Sequence, residues 1–119
     1  MTISPEFLTR LGAIVGAENL LTDAASCLVY GYDNSRKIFP PEAVAFATTT
    51  AAVQQIVLLC NEFRVSLTPR GRGTGTAGAS IPEQGGVALS LERMRRIVAV
   101  DPANRVLVCE PGVLNQEVQ

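Results

Sequence analysis

The 119-residue sequence contains no histidine. A Ser–His–Asp triad, a Cys–His pair, a histidine general base and a histidine-bearing metal site are therefore excluded within this chain. Tryptophan is also absent, and aromatic residues make up only 5% of the sequence. Lys37 is the single lysine, and all other basic residues are arginines, which favours forked contacts with anions over a lysine-coated surface.

The sequence also lacks an excess of basic residues, a long apolar run and a signal peptide, which bears on its partners and its cellular compartment. The formal net charge is −1 and the pI is about 5.4, which argues against a nucleic-acid partner. No apolar run exceeds the five residues of 56–60, whereas a membrane span needs about 18. The first residues lack the basic and apolar regions of a signal peptide. We therefore expect a cytoplasmic protein without direct membrane insertion.

Three cysteines, Cys27, Cys60 and Cys109, lie more than thirty positions apart. An odd number of cysteines without a Cys-x-x-Cys pair predicts reduced thiols that serve as small core residues.

The residues that are present predict a globular fold, because 47% are apolar and 18% are charged. Ser4 as N-cap and Pro5 at the first helical position predict an N-terminal helix that stops at Gly16. A second short helical segment is predicted within residues 22–30, followed by a turn-rich connection over 31–41.

A regular pattern begins at residue 43. Strands at 43–47 and 65–68 flank a helix at 51–63, which predicts a β–α–β unit with parallel strands. The apolar face of that helix is predicted to comprise Val53, Ile56, Val57, Cys60 and Phe63. A strand at 87–91, a turn at 92–96 and a hairpin of 97–100 with 106–110 follow. The predicted fold class is α+β, with an N-terminal helix and a β–α–β unit followed by further strands.

The strongest chemical signal is the glycine-rich segment 68–80. Four glycines within residues 71–78 allow positive φ angles and a close approach of a ligand to the backbone. Successive N–H groups can then form an anion-binding nest, to which Arg70 and Arg72 add charge and Thr74 and Thr76 add hydroxyl groups. The segment predicts a phosphate or diphosphate site; the alternative is a flexible turn between strands.

Two familiar phosphate motifs do not fit this segment. Gly73-x-Gly75-x-x-Gly78 has the spacing of the Rossmann fingerprint, but Pro82 and Gly85-Gly86 follow where a helix should begin. A Walker A loop is excluded because no Lys-Ser/Thr follows the last glycine.

Other charged and aromatic residues give weaker signals. The basic cluster of Arg93, Arg95 and Arg96 is typical of a solvated turn. Tyr30 and Asp33 are either functional or explained by packing and turn capping. Glu83, Glu92 and Glu110 show no pairing that indicates acid–base catalysis.

Several motifs together, in order and spacing, carry a family resemblance over residues 25–119. They are Pro69-Arg70-Gly71-x-Gly73-Thr74-Gly75-x-x-Gly78, Gly85-Gly86-Val87 with Leu89-Ser90-Leu91, Arg93-Met94, Asp101-Pro102 and Glu110-Pro111-Gly112-Val113, with Tyr30-x-x-Asp33 upstream. The chain resembles the FAD-linked oxidase family of vanillyl-alcohol oxidase and p-cresol methylhydroxylase. Within that family it is most similar to the N-terminal part of the FAD subunit of bacterial glycolate oxidase and of D-lactate dehydrogenases.

The resemblance implies that residues 40–119 form the first half of an FAD-binding domain of the p-cresol methylhydroxylase type, here truncated, after an N-terminal helical extension over residues 1–39. It also implies that the glycine-rich segment wraps the FAD diphosphate. The implied cofactor-binding residues are Pro69, Arg70, Gly71, Arg72, Gly73, Thr74, Gly75, Thr76 and Gly78; no catalytic or metal-binding residue is assigned. Two residues depart from the family pattern: Arg72 replaces a small residue and Ala79 replaces a second glycine. Arg72 either compensates charge or points to solvent.

The implied parent protein is an FAD-dependent 2-hydroxyacid dehydrogenase or oxidase, with an iron–sulfur subunit as partner. Relatives also need a second FAD-binding subdomain, a cap domain and catalytic histidines, so we expect this chain to be an inactive fragment that self-associates. The alternatives are a non-catalytic assembly module without flavin, and an FAD oxidoreductase that acts on another alcohol, a phenol or a sugar lactone.

Overall fold

A computed structural model of the chain describes residues 3–73 and 79–118. The helices are α1 (Pro5–Val15), α2 (Ala24–Leu28), α3 (Thr50–Phe63) and α4 (Asn115–Val118), with a single 3-10 turn at Ala17–Asn19. The strands are β1 (Leu20–Leu21), β2 (Ala43–Phe46), β3 (Leu67–Arg70), β4 (Val87–Ser90), β5 (Ile97–Asp101) and β6 (Val106–Cys109).

The ends of α1 follow its local sequence. The Ser4 side chain accepts a hydrogen bond from the Phe7 N–H at 3.2 Å, Pro5 opens the helix, and Gly16 ends it with φ of +90°. These three positions confirm the predicted helix, because each satisfies or removes a backbone group that a helix end leaves unpaired.

The main sheet has the strand order β1-β2-β4-β3. Strand β4 lies between β2 and β3 and pairs with both in parallel, whereas β1 pairs with β2 in the antiparallel direction. The predicted parallel direction of the β–α–β strands is therefore confirmed. Strand β3 begins at Leu67 rather than at Val65, because the Val65 N–H is used at the end of α3, where it donates to the Cys60 carbonyl at 2.9 Å.

Both faces of the sheet are covered, which explains why every residue of β2 and β4 is buried. Helices α1 and α3 pack on one face, where the Phe7 and Phe63 rings meet edge to face at 5.5 Å. On the other face, Cys27 of α2 packs with Val44 and Phe46. The predicted domain boundary between residues 39 and 40 stays a prediction, and α1 packs into the same core as the β–α–β unit.

The predicted apolar face of α3 is wrong at one position. Val57 is 39% exposed, and Leu59 is buried beside Ile56 and Cys60 instead. Each helical residue turns the side-chain direction by about 100°, so Leu59 shares the direction of Ile56 whereas Val57 lies at its margin.

Strands β5 and β6 form a separate antiparallel hairpin, as predicted. Every residue of β5 is exposed. The prediction that all three cysteines lie in the core is wrong for Cys109, which lies on β6 and is exposed, whereas Cys27 and Cys60 are buried. The difference arises because β6 pairs only with β5 in the part of the chain that the structure describes.

Candidate anion-binding site

The carboxyl ends of the three parallel strands meet at one edge of the sheet. Phe46, Ser90 and Arg70 are aligned there in register, as the last residues of β2, β4 and β3. The first glycine of the glycine-rich segment, Gly71, follows directly after Arg70. Ligands of open α/β sheets bind preferentially beyond the carboxyl ends of the strands, so the segment occupies a position suited to binding.

Pro69 is exposed and lies on β3, an edge strand of the sheet. The Arg70 carbonyl accepts from the Leu91 N–H at 2.9 Å and thus faces β4. Successive residues of a strand alternate in direction, so the nitrogen of Pro69 faces the open side, where a missing N–H costs no ladder hydrogen bond.

Arg70 is a buried arginine, only 8% exposed. Its Nη1 donates to the Tyr32 carbonyl at 3.2 Å, and its guanidinium carbon lies 5.3 Å from the centroid of the Tyr30 ring. A Cβ at Gly73 would overlap Nη2 of Arg70, and Gly73 has φ of +71°. Position 73 therefore requires glycine for its backbone conformation and for its closeness to the arginine.

Arg72 is exposed, but its guanidinium is engaged. Its Nη2 donates to the Gly112 carbonyl at 2.7 Å. The guanidinium therefore does not simply point to solvent. It links the glycine-rich segment to the turn at residues 111–112.

That turn packs closely against the residues after β4. A Cβ at Gly112 would lie 2.5 Å from the Glu92 carbonyl oxygen, and the Gly112 N–H donates to the Met94 carbonyl at 2.8 Å. Gly112 is needed for this close approach, and it brings a carbonyl oxygen within reach of Arg72.

A pocket of about 210 Å³ lies where these groups meet. Its lining residues are Val29, Tyr30, Tyr32, Arg70, Gly71, Arg72, Gly73 and Glu92. A larger groove of about 480 Å³ between α1 and α3 contains Arg10 and Glu62, but these two charges pair with each other. The pocket of about 210 Å³ is the better candidate for an anion site, because Gly71, Arg72 and Gly73 of the glycine-rich segment line it.

Tyr30 closes one side of the pocket. Its hydroxyl donates to Oε1 of Glu92 at 2.8 Å, and its ring meets the Phe46 ring edge to face at 5.4 Å. Burial, together with the Glu92 carboxylate, raises the pKa of Tyr30 to about 12. The phenol is therefore held neutral, as a hydrogen-bond donor to a carboxylate.

The residues after β4 form the predicted turn. Arg95 and Arg96 are exposed, as a solvated cluster predicts. Arg93 is exposed too, but its guanidinium lies 3.9 Å from the centroid of the Phe46 ring and donates to the Asn19 side chain. Arg93 therefore contributes to the packing behind the pocket.

The predicted site residues are described only in part. Thr74, Gly75, Thr76 and Gly78 lie outside the described residues. The structure brings Arg70, Gly71, Arg72 and Gly73 together in the pocket, whereas Pro69 lies beside it. The assignment of all nine as cofactor-binding residues stays a prediction.

Sequence reasoning missed two contributors to this site. The Pro111-Gly112 motif marked Gly112 without indicating its contact with Arg72. Glu92 gave no local signal, since its partner Tyr30 lies 62 positions away. Asp33 accepts a hydrogen bond from the Ser35 N–H at 2.7 Å, as turn capping predicts.

Residues 3–73 and 79–118 contain neither a candidate metal cluster nor a candidate membrane-spanning helix. Within these residues, His, Cys, Asp and Glu side chains form no group of three or more that could hold a metal ion. No helix in this part of the chain has the length and apolar character needed to cross a membrane.

Comparisons with known proteins identify the family of this chain. The sequence profile of a family described as FAD binding domain matches residues 41–119. An FAD-linked oxidoreductase of Mycobacterium tuberculosis is 39% identical over 111 residues, which cover 91% of this chain and 24% of that protein. A glycolate oxidase subunit of Bacillus subtilis is 32% identical over 117 residues, which cover 98% of this chain and 25% of that protein.

The fold agrees with a solved structure of p-cresol methylhydroxylase with substrate bound. The TM-score is 0.81 at 27% identity, over 98% of this chain and 24% of that one. The predicted fold class and family resemblance are thus confirmed. The chain spans about a quarter of the length of the relatives that it matches. It belongs to the FAD binding domain family of FAD-linked oxidoreductases.

Proposed function

We propose that this chain binds the diphosphate of FAD through residues 69–78, as part of a flavin-dependent dehydrogenase or oxidase of a 2-hydroxy acid. The observation that carries the proposal is the position of Gly73, which has φ of +71° and lies over the buried guanidinium of Arg70 at the carboxyl end of β3. This arrangement places positive charge under a backbone that can approach a ligand closely.

The described residues fit a diphosphate. Within the described residues, Arg70 donates to the Tyr32 carbonyl and Arg72 donates to the Gly112 carbonyl. A guanidinium has five N–H donors, so with respect to residues 3–73 and 79–118 both arginines keep donors that can serve an anion. Charge-assisted hydrogen bonds from arginine to phosphate oxygens are among the stronger ones in proteins.

The roles of this chain's residues are binding and orientation. FAD, when bound, supplies the flavin ring that accepts a hydride from the substrate. Arg70 and Arg72 would neutralise the charge of the diphosphate, and Gly71 and Gly73 would let the backbone approach it. A histidine base is not supplied by these 119 residues, because they contain none.

The most specific part of the proposal is the class of substrate. A 2-hydroxy acid is supported by the 32% identity to a glycolate oxidase subunit over 98% of this chain. The likeness to p-cresol methylhydroxylase favours a phenol, at lower identity. The 2-hydroxy acid is therefore preferred over a phenol, another alcohol or a sugar lactone. An iron–sulfur partner subunit and a cytoplasmic location complete the proposal.

Saturation-transfer difference NMR on the 119-residue chain tests diphosphate binding, because it detects ligands with a Kd of about 1 mM, or about 4 kcal/mol of binding free energy. FAD, ADP and riboflavin are compared, with inorganic pyrophosphate as competitor. We expect signals from FAD and ADP that pyrophosphate abolishes, and none from riboflavin, which lacks phosphate.

Matched variants extend this test. Arg72→Ala removes one positive charge from the pocket and is expected to weaken the ADP signal, whereas Arg95→Ala removes an exposed charge from the turn after β4 and leaves the signal unchanged. The absence of signals from FAD and ADP in the unsubstituted chain contradicts the proposal. A riboflavin signal of equal strength that pyrophosphate does not displace contradicts it as well.

The second candidate function is a non-catalytic assembly module. It is favoured by the β5–β6 hairpin, whose Ile97, Val98, Val100, Val106 and Val108 are 43–62% exposed. Contiguous exposed apolar side chains promote association between chains. Size-exclusion chromatography over a wide range of concentrations tests this candidate: a larger species that grows with concentration supports it, and a monomer throughout contradicts it.

A further inference from the structure

We propose that Tyr30 is a positioning residue for Gly73, in the described part of the glycine-rich segment, and that it acts through Arg70. The inference rests on the proposed diphosphate site for its ligand-binding consequence. Its structural part concerns the chain without ligand and can be tested separately.

Arg70 contacts both Gly73 and Tyr30. One side of its guanidinium lies against Gly73, at the point where a Cβ would overlap Nη2. Another part lies 5.3 Å from the centroid of the Tyr30 ring. A buried cation is costly unless its surroundings compensate the loss of water, and an aromatic face does so through its negative quadrupole. The Tyr30 ring therefore holds the guanidinium where it meets Gly73.

Tyr30 is itself fixed by two contacts from different parts of the chain. Its hydroxyl donates to Glu92, in the turn after β4, at 2.8 Å. Its ring meets Phe46, at the end of β2, at 5.4 Å with an interplanar angle of 86°. Arg93 covers the Phe46 ring with its guanidinium carbon 3.9 Å from the centroid.

The result is a series along the carboxyl edge of the sheet in which two adjacent aromatic rings lie between two guanidinium groups. Its members are Arg70, Tyr30, Phe46 and Arg93, which come from four separate segments. Phe46 and Arg70 are aligned in register through β4, so the series spans the edge from β2 to β3. It fixes the start of the glycine-rich segment before a ligand arrives, and such preorganisation lowers the entropic cost of binding.

The test compares Tyr30→Leu, which removes the ring, with Tyr30→Phe, which keeps the ring and removes only the hydroxyl. Phe39→Leu, at an exposed aromatic residue of the connection before β2, is the matched control. The ligand-free readout is NMR of the Arg70 Nε–Hε group and the Gly73 amide. The aromatic ring current acts on the first, and the position of the guanidinium acts on the second.

We expect both resonances to move in Tyr30→Leu, and to stay near their original positions in Tyr30→Phe and Phe39→Leu. ADP affinity is expected to fall roughly fivefold in Tyr30→Leu, in line with the loss of one cation–π contact, and to be rescued in Tyr30→Phe. Unchanged Arg70 and Gly73 resonances in Tyr30→Leu overturn the proposal. Equal changes in Tyr30→Phe and Tyr30→Leu also overturn it, since the hydroxyl rather than the ring would then be responsible.

Two further results keep the test decisive. If the unsubstituted chain binds no ADP, the proposed function fails, while the Arg70 and Gly73 resonances still decide the role of Tyr30. If Tyr30→Leu does not fold, Arg70→Lys replaces it, since lysine keeps the charge and loses the planar group. A Gly73 amide that does not move in Arg70→Lys then overturns the proposal, and one that moves supports it.

Discussion

Arg72 and Gly112 lie 40 positions apart in the sequence, and Nη2 of Arg72 donates a hydrogen bond to the Gly112 carbonyl at 2.7 Å. The contact joins the segment after β3 to the turn after β6. Two motifs of the family resemblance, the glycine-rich segment and Pro111-Gly112, are therefore parts of one local structure. Arg72, a departure from the family pattern, is the residue that connects them.

Replacing Arg72 by alanine removes this connection. We expect Arg72→Ala to lower the free energy of unfolding by about 1 kcal/mol, the usual net contribution of one hydrogen bond. Arg95→Ala, at an exposed arginine, is expected to change it by less than about 0.5 kcal/mol. Urea denaturation of both variants provides the measurement, and equal effects would show that the Arg72 contact contributes nothing specific.

Gly73 and Gly71 offer a matched pair of glycine substitutions. Gly73→Ala places a side chain at φ of +71° and against Nη2 of Arg70, and we expect a loss of about 2 kcal/mol or more in the free energy of unfolding. A Cβ at Gly71 would make only an ordinary contact, 3.7 Å from the Pro111 carbonyl oxygen. Gly71→Ala should therefore be the milder change in a urea denaturation experiment, and the reverse order would contradict the described conformation of Gly73.

The raised pKa of Tyr30 predicts that the free energy of unfolding changes with pH in the alkaline range. Its pKa is about 12 in the folded chain, against an ordinary value of 10.0. Between these values the unfolded chain loses the phenol proton and the folded chain keeps it, so the contribution of Tyr30 to stability falls as pH rises from about 10 to about 12. Below the lower value this contribution is fully present.

The comparison with Tyr30→Phe isolates this effect, because other groups that titrate in the same range are common to both proteins. The difference in free energy of unfolding between the unsubstituted chain and Tyr30→Phe should shrink over that pH range. A difference that stays constant would show that the phenol titrates alike in both states.

The three cysteines are expected to differ in reactivity. Burial raises the pKa of the Cys60 thiol to about 11 and also raises that of Cys27, whereas Cys109 is exposed. Iodoacetamide at about pH 8 should therefore modify Cys109 first, since the exposed thiolate is the reactive species. Mass spectrometry of the labelled chain provides the measurement. Cys109→Ser should remain unlabelled until urea is added, and rapid labelling of Cys27 or Cys60 would contradict the described core.

Features that depend on neighbouring residues could be predicted from the sequence. Ser4, Pro5 and Gly16 fixed α1 because helix caps act within one turn of the chain. The glycine-rich segment could be placed after a strand for a similar reason, because its composition and its flanking residues are local signals.

Features that depend on long-range pairing could not be predicted in this way. The placement of β4 between β2 and β3 is set by strand pairing, which leaves no mark on any one segment. The sequence indicated Arg70 as a charge beside the predicted anion site. Its contact with the ring of Tyr30, which lies 40 positions earlier, left no local signal. The exposed side chains of the β5–β6 hairpin show the same limit, because apolar residues predict a strand without specifying what covers it.

We propose above that the glycine-rich segment at the carboxyl edge of the sheet binds the diphosphate of FAD. The decisive experiment is a titration of the ¹⁵N-labelled chain with FAD, followed through the backbone amide resonances. We expect the largest shifts at Gly71, Arg72 and Gly73, with a further shift at Gly112, and we expect inorganic pyrophosphate to reverse them. Shifts confined to the β5–β6 hairpin or to α3, with those amides unchanged, would contradict the proposal.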